Sequence, residues 1–267
     1  MFICPICKKE MTKTGGAFVC PENHSFDISR RGYVNLLCSQ SSKLHGDDKQ
    51  MATSRRDFLN HGYYNRLLEC ICSNITEGPV ADIGCGEGYY LEGINRSLCS
   101  RAGKGGTVGI DISKPSVDAA CRRSYACENN LAVASCKALP LRDNSIAAAV
   151  SVFAPVTEAE VRRVLRPGGK LIRVVPGRDH LIELKRAIYE NAQLNSPFDN
   201  TLAGFELKCA ENLRYTMHLD ENADIRNLFS MTPYSYRTGE KDKQKLRSLS
   251  GLDITAHFYI FVYEVIK

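Results

Sequence analysis

No stretch of this chain approaches the roughly 20 uninterrupted apolar residues that a membrane-spanning helix needs, so a membrane-embedded protein is not expected. The opening Met1-Phe2-Ile3-Cys4-Pro5 lacks the basic patch and apolar run of a secretory signal, which makes the cytoplasm the expected compartment. Thiols are kept reduced there. The 12 cysteines are therefore expected as metal ligands or small buried apolar residues rather than as disulfides. Internal repeats and low-complexity runs are absent, and neither charge sign dominates. With 35 Lys and Arg against 30 Asp and Glu, the net charge of +5 permits a nucleic-acid partner without requiring one.

What is present fits one α/β domain with a small appendage, in 267 residues that are 43% hydrophobic and 24% charged. Basic residues cluster twice, as Arg30, Arg31, Lys43, Lys49, Arg55, Arg56 and Arg66, and again as Arg162, Arg163, Arg166, Lys170, Arg173 and Arg178. Each is read singly as solvated surface. As sets they also have the form of an anion-binding footprint. Residues 1–37 are turn-rich and cysteine-dense, with too few apolar side chains to bury a core unaided. Residues 38–50 are polar and aperiodic and read as a linker, and residues 51–267 as the main domain.

From Met51, Phe58, Leu67, Leu68, Ile71 and Ile75 recur at helical spacing around a break at Gly62. Strand–helix alternation follows. Strands are predicted at Pro79–Ile83, Thr107–Ile112, Leu131–Ser135, Ile146–Phe153 and Lys170–Val175, with helices between them. Pro167-Gly168-Gly169 stops the helix before the fifth strand. Such alternation argues for an open parallel sheet covered by helices. Leu207–Leu219 and Ile254–Val265 are richer in β-branched and aromatic residues and predict a closing antiparallel hairpin, giving a mixed seven-stranded sheet.

Cys4-x2-Cys7-x12-Cys20-x3-His24 has the spacing of a structural zinc site: two tight pairs on facing turns supply four tetrahedral ligands at little loop cost. Cys38 is the nearest alternative to His24 as fourth ligand, and Cys70-x-Cys72 is read as unremarkable packing.

Directly after the first strand of the main domain comes Asp82-Ile83-Gly84-Cys85-Gly86-Glu87-Gly88. Residues without a Cβ let the backbone turn tightly and approach a ligand lying across the strand ends. A glycine loop alone also fits nicotinamide and flavin enzymes. Asp82 tips the balance, because a carboxylate there disfavours a pyrophosphate and favours a ligand that carries an amino group and a sulfonium. Asp111, closing the second strand, stands where an acid takes both ribose hydroxyls, with a helix N-cap as the structural alternative. Together with Arg166-Pro167-Gly168-Gly169-Lys170 before an apolar strand, these features resemble the class I S-adenosylmethionine-dependent methyltransferases over residues 50–267. Many of those carry an acid after strand three for the adenine amino group. This chain has Ala134-Ser135-Cys136-Lys137, so Ser135 or a backbone group would serve.

The whole chain resembles the bacterial 23S ribosomal RNA (guanine-N1)-methyltransferases of the RlmA family, which includes enzymes conferring resistance to tylosin-type macrolides. The resemblance rests on Cys4-Pro5-Ile6-Cys7, Cys20-Pro21, His24-Ser25-Phe26-Asp27, Gly32-Tyr33-Val34-Asn35-Leu36-Leu37, Arg55-Arg56-x-Phe58-Leu59, the Asp82–Tyr90 loop and Pro176-Gly177-Arg178-Asp179-His180-Leu181. It implies a class I Rossmann-like α/β fold with an N-terminal zinc-binding, RNA-recognising unit. It implies zinc on Cys4, Cys7, Cys20 and His24, and S-adenosylmethionine against Tyr64, Gly86, Glu87 and His180 beside Asp82, Gly84, Gly88, Asp111 and Ser135. Read without the resemblance, an isolated Tyr64 or His180 is ordinary packing.

The activity implied is methyl transfer to guanine N1 in a hairpin loop of 23S RNA. The base must be splayed from its stack to react, and Phe153-Ala154-Pro155 is the natural wall for it. No residue stands out as the general base. A second copy of the chain is a further expected partner, since one zinc unit and one cleft form a small grip on a hairpin. Two readings compete: a small-molecule methyltransferase, disfavoured by the zinc unit and clustered arginines, and a non-catalytic RNA-binding assembly factor, disfavoured by the intact glycine loop and acids.

Overall fold

The structure, a computed structural model, describes residues 2–37, 46–102 and 106–267. Most of the linker expected at 38–50, including Cys38 and Lys43, lies outside the described residues. The first strands, β1 (Thr12–Thr14), β2 (Ala17–Val19) and β3 (Ser25–Asp27), form a small antiparallel sheet, and β4 (Val34–Asn35) follows. The main body then runs α1 (Lys49–Asn60), α2 (Asn65–Ser73), β5 (Val80–Ile83), α3 (Tyr89–Ala102), β6 (Thr107–Asp111), α4 (Lys114–Ala120), β7 (Asn129–Val133), β8 (Ile146–Val152), α5 (Glu158–Val164), β9 (Leu165–Pro176), α6 (Ile182–Ile188), β10 (Phe205–Leu219), α7 (Asn222–Ser230), α8 (Glu240–Arg247) and β11 (Leu252–Val265).

The large sheet has the order β10-β11-β9-β8-β5-β6-β7-β4. Its centre is parallel, and β11 pairs antiparallel with both β9 and β10. Every residue of β5 and β8 is buried, because helices cover both faces of a central parallel strand. Along β8, Ala148, Val150 and Val152 pack into one layer with Phe58, Leu67 and Ile71, while Ala149 faces the other with Val161 and Leu171.

The seven expected strands are all present, and an eighth joins them. β4, from the cysteine-dense segment, pairs parallel with β7 through Val34↔Ala132 and Asn35↔Val133. Phe2, Met11 and Leu36 share a core cluster with Ala81, Ile83 and Leu141, so the small unit buries its few apolar residues against the larger body.

Other departures have local causes. Pro167-Gly168-Gly169 does not interrupt the fifth parallel strand; it lies within β9, where the register with β8 shifts between Ile146 and Ala148. A shift of this kind absorbs the extra residues without ending the strand. β10 and β11 pair along their whole length, but α7 and α8 intervene, so they are not a tight hairpin. Cys99 of α3 and Cys127 before β7 form a disulfide. That corrects the expectation of metal ligands or small buried apolar residues rather than disulfides, since Asn95 of α3 accepts from the Ala126 and Cys127 amides and brings the two thiols side by side.

Candidate active site and metal centre

Two knuckles build the metal centre. Lys8 and Asn23 adopt left-handed backbone (φ 62 and 61), each closing a tight turn behind a cysteine. The Lys8 amide donates to Cys4 O (2.9 Å) and the Asn23 amide to Cys20 O (2.9 Å). The ligand atoms of Cys4, Cys7, Cys20 and His24 all lie within 4.8 Å of one another. Cys4 Sγ is 3.5 Å and Cys20 Sγ 3.4 Å from His24 Nδ1, and Cys7 Sγ is 3.6 Å from Cys20 Sγ. A tetrahedron with zinc bonds of about 2.0–2.3 Å has edges of roughly 3.5–3.8 Å, so the four atoms already stand near the corners a zinc ion requires. Four protein ligands leave no open position, and such an ion stabilises the fold instead of activating water.

At the carboxyl ends of β5, β6 and β8 lies a cleft of about 400 Å³. Gly84 and Gly86 turn its floor with φ of 77 and 55. A Cβ on Gly84 would stand 2.4 Å from Ala154 Cβ, so only glycine leaves room between the loop and the end of β8. Asp82, one residue before the end of β5, is fully buried beneath the loop and does not itself border the cleft, and its Oδ2 has no hydrogen-bond partner among the described residues. Desolvation first, then the nearby Asp111 and Glu87 carboxylates, push its pKa up to about 8. A buried, unsatisfied carboxylate calls for a cationic or donor group, and the ammonium of S-adenosylmethionine is one. Asp111 accepts from the Gly86 amide (2.9 Å) and the Ser113 amide (2.7 Å) while bordering the cleft. Ser113, not Asp111, caps α4, accepting from the Ser116 amide at 3.2 Å.

The remaining expected residues divide. Tyr64 and Ser135 border the cleft. Tyr64 is fixed edge-on between Phe58 (5.5 Å) and Phe258 (5.0 Å). Glu87 borders it too, but its carboxylate is taken by Arg123, whose Nε donates at 2.8 Å and whose Nη1 donates to Glu92 at 2.7 Å. Gly88 serves packing: a Cβ there would meet Ala120 of α4 at 2.9 Å. His180 does not line the cleft. It stacks behind Phe153 (5.8 Å, 28°) and near Tyr64 (6.4 Å), and its Nδ1 accepts from the His257 amide (3.2 Å). Burial, then His257 and Lys185, hold it neutral with a pKa lowered to about 3, so it transfers no proton near neutral pH.

The structure adds groups that sequence reasoning left without a role. Arg55 and Leu59, one turn apart on α1, both reach the cleft, as do Asp47, Tyr90 and Met231. Four residues apart, Arg55 and Leu59 share one face of α1, but which face meets the loop is a tertiary matter. The basic clusters are partly consumed by ion pairs: Arg31 with Asp118, Arg163 with Asp143 and Glu160, and Arg166 with Glu77.

Residues 2–43 match the family model "RlmA, N-terminal", and residues 80–169 match "Methyltransferase domain". A 23S rRNA (guanine(748)-N(1))-methyltransferase of Streptomyces fradiae is 34% identical over 261 residues, which span 93% of this chain and 91% of that protein. The chain belongs to the 23S rRNA (guanine-N1)-methyltransferase family, RlmA type. A Bacillus subtilis protein named provisionally for the same activity is 33% identical, across 98% of this chain and 96% of its own length. A third such protein, from Micromonospora griseorubida, is 33% identical across 68% and 67%. Within this family frame the Cys3His cluster is the metal-binding cluster of the ribbon, and the main body carries a methyltransferase fold. Among the described residues no helix is long and apolar enough to cross a membrane.

Proposed function

We propose that this chain transfers the methyl group of S-adenosylmethionine to N1 of a guanine in a hairpin loop of 23S ribosomal RNA, acting in the cytoplasm. The observation that carries the reading is the union, in one chain, of an RlmA-type ribbon with four converging metal ligands and a glycine-loop cleft with an unpaired buried carboxylate, Asp82, in the strand that leads into that loop. Bound S-adenosylmethionine supplies an electrophilic methyl on a sulfonium centre. Asp82 meets its ammonium, Asp111 its ribose hydroxyls, and Ser135 with the neighbouring backbone its adenine edge. The Gly84–Gly86 backbone and Tyr64 shape the pocket around it. Cys4, Cys7, Cys20 and His24 hold zinc, and residues 1–37 thereby become a rigid RNA-recognising unit, joined through 38–50 to the methyltransferase domain at 51–267. A second copy of the chain completes the grip on the hairpin.

Phe153 receives the base. It sits at the end of β8 with φ 57, 44% exposed, its ring backed by His180. A bulky residue in left-handed backbone costs about 1–3 kcal/mol, and such strain collects at functional sites. The strained turn presents an aromatic face to the open side of the cleft, where a flipped guanine can stack. The carboxylates bordering the cleft are already engaged, Asp47 by Arg55, Glu87 by Arg123 and Asp111 by backbone amides. The N1 proton is therefore assigned to solvent, leaving as the N–C bond forms.

Phe153→Ala should lower kcat/KM for RNA by about 5- to 100-fold, the worth of one base–aromatic stack, with cofactor affinity changed less than about twofold. Equal losses in both would refute the stacking role. The overall reading is tested by incubating unmodified 23S RNA with methyl-labelled donor and mapping the product. Label at N1 of a loop guanine is expected; label on ribose, on an exocyclic amine, or nowhere would sink it.

A further inference from the structure

At the rim of the cleft, Gly46–Asp48 leads into α1 pressed against the loop after β6. A Cβ on Gly46 would stand 2.8 Å from Ser113 Cβ and 2.9 Å from Ile112 Cγ2, and the Ser113 hydroxyl donates to Asp47 O at 2.6 Å. The Asp47 carboxylate is ion-paired with Arg55 through Nη1. Arg55 Nη2 donates to Met231 O at 3.0 Å, and its Nη1 would lie 3.6 Å from a Cβ on Gly86. The guanidinium thus hangs over the glycine loop, fixed on one side and paired on the other.

S-adenosylmethionine ends in a zwitterion, with an ammonium and a carboxylate on the same carbon. Asp82 answers the ammonium. Of the described residues bordering the cleft, Arg55 and Lys137 are the cationic ones, and Lys137 lies beyond Ser135, on the β7 side. A guanidinium fork suits a carboxylate better than an amine does, because two parallel N–H groups meet two oxygens. We infer that Arg55 anchors the carboxylate of the cofactor and that Asp47 occupies the same guanidinium beforehand, so that cofactor loading exchanges one carboxylate for another. Asp47 is then a built-in competitor that sets how tightly the donor is held. The inference rests on the reading of the cleft as the S-adenosylmethionine site.

The test is equilibrium titration of the full-length, zinc-loaded protein with S-adenosylmethionine and with its decarboxylated analogue, which keeps the ammonium and sulfonium. The unmodified protein should prefer the carboxylated compound by at least about tenfold, the scale of a charge-assisted pair. Arg55→Gln should erase that preference, and Arg55→Lys should restore part of it. Asp47→Asn should tighten S-adenosylmethionine by about three- to tenfold and leave the decarboxylated compound unchanged. Retention of the full preference by Arg55→Gln overturns the anchor, and unchanged or weaker binding by Asp47→Asn overturns the exchange. Failure of the unmodified protein to bind either compound overturns the donor-site reading as well, which separates the two failures. Thermal melting of each variant establishes that it is folded.

Discussion

Cys20→Ser should unfold the ribbon and strip zinc from the chain. Cys20 is buried and stands within 3.6 Å of two other ligand atoms, so its loss removes one corner of the tetrahedron. The free energy of structural zinc sites, about 10–16 kcal/mol, far exceeds what β1–β3 can draw from their own side chains. β1 is wholly exposed and β2 only half-buried. Without the metal, Phe2, Met11, Val34 and Leu36 lose their fixed seat on the body, and β4 leaves the edge of β7. Zinc content should fall from one per chain to nearly none, amide exchange over 2–37 should rise to the unprotected rate, and RNA affinity should drop. Cofactor affinity should stay within about threefold, because residues of the main body dominate the donor cleft. A Cys20→Ser protein with full zinc and a protected ribbon would contradict the assignment.

Asp82→Asn should weaken cofactor binding by at least about 100-fold, since it leaves a buried ammonium without its counter-charge. The pH dependence is the sharper readout. The folded-state pKa of Asp82 is raised to about 8 from 3.8, so the cofactor-free protein keeps a proton there that the unfolded chain has already lost. Folding therefore takes up a proton between these two values, and this carboxyl's contribution to stability is present at low pH and lost as pH rises to about 8. Binding an ammonium requires the ionised form and runs the other way. Affinity for S-adenosylmethionine should rise from pH 6 and level off near 8, where an α-ammonium itself begins to lose its proton at about 7.7–8.0. Binding at neutral pH should release a proton, visible as a buffer-dependent enthalpy in calorimetry. Asp82→Asn should flatten both the stability slope and the affinity slope. A proton-neutral binding reaction by the unmodified protein would defeat this account.

Much of the site was legible because it is local. Four ligands at Cys4, Cys7, Cys20 and His24 can be read from spacing, since each knuckle closes within a few residues. The glycines of 84–88 announce a turn because only glycine tolerates its backbone there, and Asp82 and Asp111 stand beside or at the ends of their strands, although only Asp111 borders the cleft. Reading became unreliable wherever a side chain's role depends on a distant partner. Glu87 entered by resemblance and does border the cleft, but Arg123, 36 residues further on, holds its carboxylate. His180 was drawn in by resemblance, and the fold sets it behind Phe153 and Tyr64, where it supports the wall without facing the cleft. The Cys99–Cys127 pair was missed because nothing in the local pattern brings α3 beside the start of β7.

The sequence by itself determined the alternation of strands and helices, the metal knuckles and the glycine-loop cleft, because each follows from backbone preference and ligand chemistry within a short stretch. Only the tertiary structure decided that β4 extends the sheet, that α7 and α8 separate β10 from β11, and that Arg55 hangs over the loop with Asp47 on it. Those outcomes depend on which apolar faces bury one another across the chain, a balance of long-range packing that no local pattern encodes.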